Sequence, residues 1–137
     1  MNVAAIPFNR LLGLQAADGV LSPPADAQYE NHLGTVHASA QFALAEAASG
    51  QWLLTRFGAE ATRNVAVVRH ADVKFRRAAS GELKAEAEVA PEEAERFLDT
   101  LSRRGRATIE VKVRLVDAEG GVTLEGSFEW FAQRIAG

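Results

Sequence analysis

The 137 residues are 47% hydrophobic and 24% charged, the balance of a globular domain that buries a core. A formal net charge of −3 excludes a global basic field that would hold a nucleic-acid backbone. The absence of cysteine excludes disulfides, a thiolate nucleophile and cysteine-ligated metal sites. We therefore expect one domain over residues 1–137, with no nucleic acid among its partners.

The N-terminal segment does not have the features of a secretory signal. Residues 1–13 lack a basic n-region, and their short apolar run is interrupted by Pro7, Asn9 and Arg10. No stretch approaches the roughly 18 apolar residues of a membrane span. These features predict a cytoplasmic protein that has no membrane partner. Within this region, residues 6–13 are expected to form a short helix, with weak strands following over 14–22 and 24–31.

Residues 36–57 give the clearest helix prediction. The segment is rich in Ala and Leu, Thr35 is a suitable N-cap, and Gly58 is a suitable stop. Its apolar residues occupy almost the whole circumference of a helical wheel, which is typical of a helix buried on most sides. Gly50, in the interior, lowers helix stability by roughly 1 kcal/mol relative to Ala and so indicates close packing against a neighbour.

Strands are predicted by alternating patterns over residues 65–76, 82–89, 108–116 and 124–130. In the first of them one apolar face, interrupted by Arg69, is expected to contain Val65, Val67, Ala71, Val73 and Phe75. An outer helix is predicted over 91–105, with acids in its first turn and arginines in its last. An antiparallel sheet wrapped around the central helix buries both elements, so the expected class is α+β.

The start of the central helix has the properties of an oxyanion site. The first N–H groups of a helix lack internal partners and carry the positive end of its dipole. His37 and Ala38 would supply such groups, and the amide of Asn31 could hold a water or a substrate oxygen. Structural roles are also open: His37 could be a cap, and Asn31 a turn residue.

Glu46 is an isolated acid in this apolar helix. It is either a surface residue or a buried carboxylate whose raised pKa suits a general base or nucleophile. It lies nine positions after His37, which is about 13 Å along the axis and on the opposite face. If the two act together, they come from two copies of the chain, and the sequence then predicts a homo-oligomer, a dimer or a dimer of dimers.

Other motifs are sparse. A nucleophile elbow, a Gly-rich phosphate loop and an HExxH pattern are absent, and three scattered histidines do not give metal-ligand spacing. We therefore expect no metal and no separate cofactor. Arg76 and Arg77 follow a predicted strand and form either a solvated face or a rim that binds phosphate.

The motif Asn31, Leu33-Gly34-Thr35, His37, followed by Glu46, resembles the hotdog-fold acyl-CoA thioesterases of the phenylacetate-degradation type. The order of elements fits this family over essentially the whole chain, and residues 105–120 resemble a group of thioesterases of unknown substrate within it. The family's His-Gly-Gly is His37-Ala38-Ser39 here, and Glu46 stands where Asp is more frequent.

The resemblance implies a hotdog fold and acyl-CoA thioester hydrolysis, with coenzyme A as part of the substrate. It implies catalytic roles for Glu46, Asn31, His37 and the Ala38 N–H. Substrate-binding roles follow for Gly34, Ser39, Arg76 and Arg77. A non-catalytic protein that binds acyl groups or acyl-CoA is the alternative, because Ala38-Ser39 replaces the two glycines. A hotdog dehydratase is disfavoured because the chain lacks a Gly-His-Pro context.

Overall fold

A computed structural model of the chain describes residues 2–23 and 26–135. Its helices are α1 (Pro7–Leu11), α2 (Ala38–Phe57) and α3 (Pro91–Arg104). Its strands are β1 (Gln15–Ala17), β2 (Val20–Ser22), β3 (Asn64–Phe75), β4 (Leu83–Glu88), β5 (Arg106–Asp117) and β6 (Val122–Arg134). Among the helices so described, none is long and apolar enough to cross a membrane.

The six strands form one antiparallel sheet in the order β1-β2-β4-β5-β6-β3. Helix α2 lies against β2, β4, β5 and β6, so the sheet wraps around it. Leu44 and Ala45 are fully buried, as expected for a helix that is apolar on most sides. The predicted α+β architecture with a central buried helix is confirmed.

Two predictions for the chain before α2 were wrong. The expected strand over 14–22 is a hairpin, in which β1 and β2 are joined by a turn with Asp18 and Gly19 at positive φ. A second strand was expected over 24–31, but Ala27–Tyr29 form one 3₁₀ turn instead. Residues 24–25 of this expected strand lie outside the described chain. The turn forms because the Asp26 side chain accepts a hydrogen bond from the Gln28 N–H at 3.2 Å.

Helix α2 begins at Ala38, and its N-cap is His37 rather than the predicted Thr35. The reason is that Val36 is held in an extended conformation: it forms a β-bridge with Glu30, and its N–H donates to the Ala79 carbonyl at 2.8 Å. A residue in a bridge cannot be part of a helical turn, so the helix starts after it.

Strand β3 contains a β-bulge at Arg69. On one side of it Val68 pairs with Trp130, and on the other side His70 pairs with Glu129. The extra residue reverses the alternation of side chains along the strand. The prediction of one shared apolar face was therefore wrong: Val65 and Val67 lie on the outer face of the sheet, whereas the inner face carries Val68, Ala71, Val73 and Phe75.

Helix α2 approaches the sheet closely at Gly50. A Cβ atom at this position would lie 3.3 Å from the Cη2 and Cζ2 atoms of Trp130. The indole therefore packs directly on the helix backbone, and the prediction of close packing at Gly50 is confirmed.

Candidate active site

The loop before α2 is organised by the side chain of Asn31. Its Oδ1 accepts hydrogen bonds from the N–H groups of Leu33 and Thr35, at 2.9 and 3.1 Å. Its Nδ2 donates to the Thr35 hydroxyl at 2.9 Å. Gly34 has a φ of 76°, a left-handed conformation that glycine adopts without strain. Asn31 thus fixes the path of the chain into the helix start.

The helix start leaves one N–H group free. The Nδ1 atom of His37 accepts from the Ser39 N–H at 3.0 Å, and the His37 N–H donates to the Tyr29 carbonyl at 2.7 Å. The N–H groups of Ala40 and Gln41 both donate to the His37 carbonyl. Of the two donors expected from the sequence, His37 is therefore engaged, and within the described chain only the Ala38 N–H lacks an acceptor in this first turn.

The protonation of His37 follows from its role as a cap. Because Nδ1 accepts a hydrogen bond, the neutral ring carries its proton on Nε2. The His37 side chain is exposed, as are Ala38 and Ser39. The helix start therefore presents three groups to a ligand: the Nε2–H of His37, the N–H of Ala38 and the hydroxyl of Ser39.

Arg76 and Arg77 directly follow β3, a few residues before Ala79, whose carbonyl holds Val36 next to the helix start. Arg76 donates from Nε to Glu125 at 2.8 Å, and Arg77 forms an ion pair with Asp117. The hydrogen bond from Arg77 is the main cause that lowers the pKa of the Asp117 carboxyl. Both guanidinium groups are half exposed and lie at the rim of the sheet.

Glu46 is half-buried on α2, and burial raises the pKa of its carboxyl above the ordinary 4.5. Among the residues that the structure describes, its carboxylate has neither a hydrogen-bond donor nor an ion-pair partner. One turn before it, Phe42 is 37% exposed and contacts Phe128 edge-on, with ring centroids 5.4 Å apart. A partly desolvated carboxylate without a partner is suited to take up a proton.

This burial leads to a prediction about stability. The folded chain binds the Glu46 proton more tightly than the unfolded chain, so the carboxylate lowers the free energy of unfolding as the pH rises above about 4.5. We expect Glu46→Gln to melt at a higher temperature than the wild type at neutral pH. The difference should shrink as the pH falls through 4.5 and vanish at about pH 3, where both states are protonated. Thermal melts across this range measure it, and equal melting temperatures at every pH would contradict the burial.

The side of α2 that carries Glu46 faces an incompletely covered part of the sheet. The inner-face residues Val68, Ala71 and Val73 of β3 are only half-buried, and Phe75 is 48% exposed. Strand β3 is at the edge of the sheet, so one of its two backbone edges has no neighbouring strand within the described chain. Phe42, one turn before Glu46, contacts Phe128, which pairs with Ala71 of β3, so this side of α2 is directed toward the apolar inner face near the edge strand.

Sequence reasoning did not find three residues that shape this site. The Tyr29 carbonyl engages the His37 N–H, the Ala79 carbonyl anchors Val36, and Trp130 packs on α2 one turn after Glu46. Only the last had a signal in the sequence, namely a glycine inside a strongly predicted helix. The others act through backbone carbonyls, which residue identity does not report.

A sheet wrapped around a buried helix is the hotdog fold, and the chain is a hotdog protein of the class that includes thioesterases. It belongs to the family described as domain of unknown function DUF4442, whose model matches residues 11–132. No functionally curated protein matches the chain.

Solved structures show the same relationship. Pseudomonas aeruginosa PA5026, described as a protein of unknown function and probable thioesterase, is 29% identical with a TM-score of 0.83, covering 97% of this chain and 91% of that one. Thioesterase HI1161 of Haemophilus influenzae is 14% identical, with a TM-score of 0.71 and coverages of 98% and 88%. BH2602 of Bacillus halodurans, solved with CoA, is 17% identical, with a TM-score of 0.70 and coverages of 91% and 74%.

The last two are similar in fold alone. Together with PA5026 they confirm the predicted hotdog fold. PA5026, at 29% identity, supports a thioesterase-like function at the level of the superfamily.

Proposed function

We propose that the protein is an acyl-CoA thioesterase whose active site is formed by two copies of the chain. Glu46 of one copy is the general base or nucleophile, and the Ala38 N–H of the second copy binds the oxyanion. The observation that carries the proposal comes from the described residues 2–23 and 26–135. Among them the half-buried Glu46 carboxylate has no partner, and the start of α2 leaves one N–H free.

The chemistry requires both groups. The Glu46 carboxylate removes a proton from water as the water oxygen attacks the thioester carbonyl carbon. The negative charge that develops on the carbonyl oxygen is stabilised by the Ala38 N–H and the positive end of the α2 dipole. When the C–S bond breaks, the protonated Glu46 returns its proton to the leaving thiolate, and a raised pKa favours this return. As a nucleophile, Glu46 would attack the thioester carbonyl carbon and expel the thiolate, which takes a proton from water. Hydrolysis of the resulting anhydride then releases the acyl group as a carboxylate and regenerates Glu46.

The remaining predicted residues fit supporting roles. One of the two Nδ2 hydrogens of Asn31 is used by Thr35, and the second can donate to a substrate oxygen. The Nε2–H of His37 and the Ser39 hydroxyl contact the bound thioester in this proposal. Gly34 has open space where a Cβ would stand, so the substrate can approach the backbone there.

Coenzyme A as the carrier is supported by the BH2602 structure, which contains CoA. Its phosphates would contact Arg76 and Arg77, which lie at the rim near the helix start. Each guanidinium group retains unpaired N–H donors beyond those used by Glu125 and Asp117, so an added phosphate can be bound without breaking the ion pairs.

In the proposed dimer, the two-fold axis would pass near the middle of α2. The α2 helices of the two copies would lie antiparallel, with Glu46 of each level with His37 of the other. The axis would then cross each helix halfway between these two residues, between residues 41 and 42. Phe42 lies four residues before Glu46 and so on the same face, and it is among the exposed large apolar side chains. Phe42 would therefore meet its own copy at the axis.

The sheet supports the same axis. Phe42 contacts Phe128, and Phe128 pairs with Ala71 in β3. An axis at Phe42 thus passes close to Ala71, near the middle of the 12-residue β3. The free edges of two β3 strands would then pair antiparallel, which makes one continuous sheet and covers Phe75 and Val73.

The dimer leads to a prediction at Phe42. Phe42→Glu places two carboxylates at the two-fold axis, so we expect a monomer with hydrolysis lowered at least about a hundredfold, because each site loses one of its two halves. Sedimentation velocity at micromolar concentration measures the assembly. Leu11→Glu, at a side chain 79% exposed on α1, is the matched control and should stay dimeric and active. A wild type that sediments as a monomer would contradict the two-chain site.

The reaction itself is tested by the release of free thiol from a panel of acyl-CoAs that differ in chain length and aromaticity. Hydrolysis of at least one member, dependent on Glu46, is expected. A non-catalytic acyl-CoA-binding protein is the second candidate, favoured by Ala38-Ser39 in place of two glycines and by the engagement of the Ser39 N–H with His37. Tight binding of acyl-CoAs without turnover at any chain length would decide for it.

A further inference from the structure

A buried chain of hydrogen bonds joins the sheet to the turn of α2 that carries Glu46. The indole Nε1–H of Trp130 donates to the Ser49 Oγ at 2.9 Å, and this hydroxyl donates to the backbone carbonyl of Glu46 at 2.7 Å. Ser49 is fully buried, and Trp130 is 8% exposed. An indole N–H can only donate, and a hydroxyl has a single hydrogen. The direction of both bonds is therefore fixed.

Trp130 is also at the junction between α2 and the edge of the sheet. Its ring packs on Gly50, which follows Ser49 directly. Its backbone pairs with Ile109 of β5 on one side and with Val68 of β3 on the other. Val68 is the last residue before the bulge in β3, the strand that forms the proposed dimer interface. One residue thus connects the turn of Glu46, through its side chain, to β3, through its backbone.

We propose that Ser49 and Trp130 are positioning residues that fix where the Glu46 turn lies along the sheet, and therefore how far Glu46 is from the helix start of the second copy. The proposal rests on the function proposed above. In this proposal, neither Ser49 nor Trp130 contacts the substrate. Without the hydroxyl, α2 keeps its packing on Gly50 but loses the Trp130 bond that sets its position along the sheet, together with the bond inside its own turn to the Glu46 carbonyl.

The first test is Ser49→Ala, which removes the hydroxyl with little change of volume. Misplacement of a catalytic group by about 1 Å costs up to about a hundredfold in rate. We expect kcat to fall about 10- to 100-fold with KM within about twofold of the wild type. Trp130→Phe, which removes the donor that ties Ser49 to the sheet but leaves the Ser49 bond to Glu46, should lower kcat by a comparable factor.

Two controls separate positioning from a loss of stability. Leu101→Ala removes buried apolar contacts in α3 and should lower the melting temperature while leaving kcat unchanged. In a Glu46→Gln background, Ser49→Ala should have no additional effect, because a positioning residue acts only through the group that it positions. An equal fall in kcat with and without the Glu46 carboxylate would overturn the proposal.

A readout that does not depend on activity distinguishes this proposal from the proposed function. The carboxyl carbon of Glu46 is titrated by 13C NMR in the wild type, Ser49→Ala and Trp52→Phe, a tryptophan on another side of α2 as the control. A lower pKa of Glu46 in Ser49→Ala than in the other two supports positioning even if no acyl-CoA is hydrolysed. Identical titrations in all three proteins overturn it even if the wild type is an active thioesterase.

Discussion

Replacing Glu46 with glutamine is expected to lower thioester hydrolysis at least about a hundredfold, which is the usual loss when a general base is removed. Glutamine keeps the size of the side chain but cannot accept a proton, and its amide is a poor nucleophile. The half-buried environment that raises the pKa of the carboxyl stays the same, so the change isolates the chemistry of one group. Release of free thiol from the best acyl-CoA measures the effect.

The pH dependence adds a second part to this prediction. Glu46 must be ionised to act, so kcat/KM of the wild type should rise with pH, with a midpoint above 4.5 because burial raises the pKa. Glu95→Gln, at an exposed acid on α3, is the matched control and should keep both rate and profile. Unchanged hydrolysis in Glu46→Gln would exclude the carboxylate from the mechanism.

The elements with strong local signals were predictable from the sequence. Helix α3 follows its forecast closely, because acids and arginines mark its ends and Gly105 adopts the left-handed conformation that stops it. Strands β4 and β5 follow theirs because one wet face and one buried face impose alternation, and β6 alternates in the same way from Phe128 to Ala132. In these elements the local pattern and the final packing agree.

The failures occur where a distant contact decides the local conformation. Thr35 has the chemistry of an N-cap, but its hydroxyl is bound by Asn31, and Ala79, more than forty residues later, holds Val36 extended. The bulge at Arg69 is marked in the sequence only by an interruption of the apolar face, and an interruption alone does not predict a bulge. The Arg69 side chain lies over the Phe131 ring on a strand about sixty residues away, at 3.9 Å from the centroid.

The candidate site likewise has a part that local sequence predicts and a part that distant contacts decide. Its residues could be named from the spacing of Asn31, His37 and Glu46, and helical geometry placed Glu46 away from its own helix start. Which N–H remains free could not be predicted, because that depends on the Tyr29 carbonyl and on the ring orientation of His37. Of the two oxyanion donors expected from the sequence, the N–H groups of His37 and Ala38, the structure leaves that of Ala38.

Ala38 gives the second prediction of large effect. It is the first residue of α2, a position where proline is well tolerated because its N–H has no partner inside the helix. The preceding His37 has a φ of −60° and a ψ of 138°, which is compatible with a following proline. Ala38→Pro should therefore fold and dimerise but lose about 10²- to 10³-fold in kcat, since it lacks one oxyanion donor.

Mixing the two inactive proteins then tests the two-chain site directly. If Glu46 acts on a thioester held by Ala38 of the other copy, a mixed dimer of Glu46→Gln and Ala38→Pro contains one intact site and one that lacks both groups. Equal amounts with random exchange give mixed dimers in about half of the population, and so about a quarter of the wild-type activity. Separately tagged chains measure the mixed fraction.

The matched control for this mixture is Glu46→Gln combined with the double variant Glu46→Gln, Ala38→Pro. These chains exchange in the same way but cannot form an intact site, so they should stay inactive. If the first mixture also stays inactive although mixed dimers form, Glu46 and Ala38 do not act across the two-fold. Because α2 separates Glu46 from its own helix start by about 13 Å, that result would require a substrate extended along the helix of one chain.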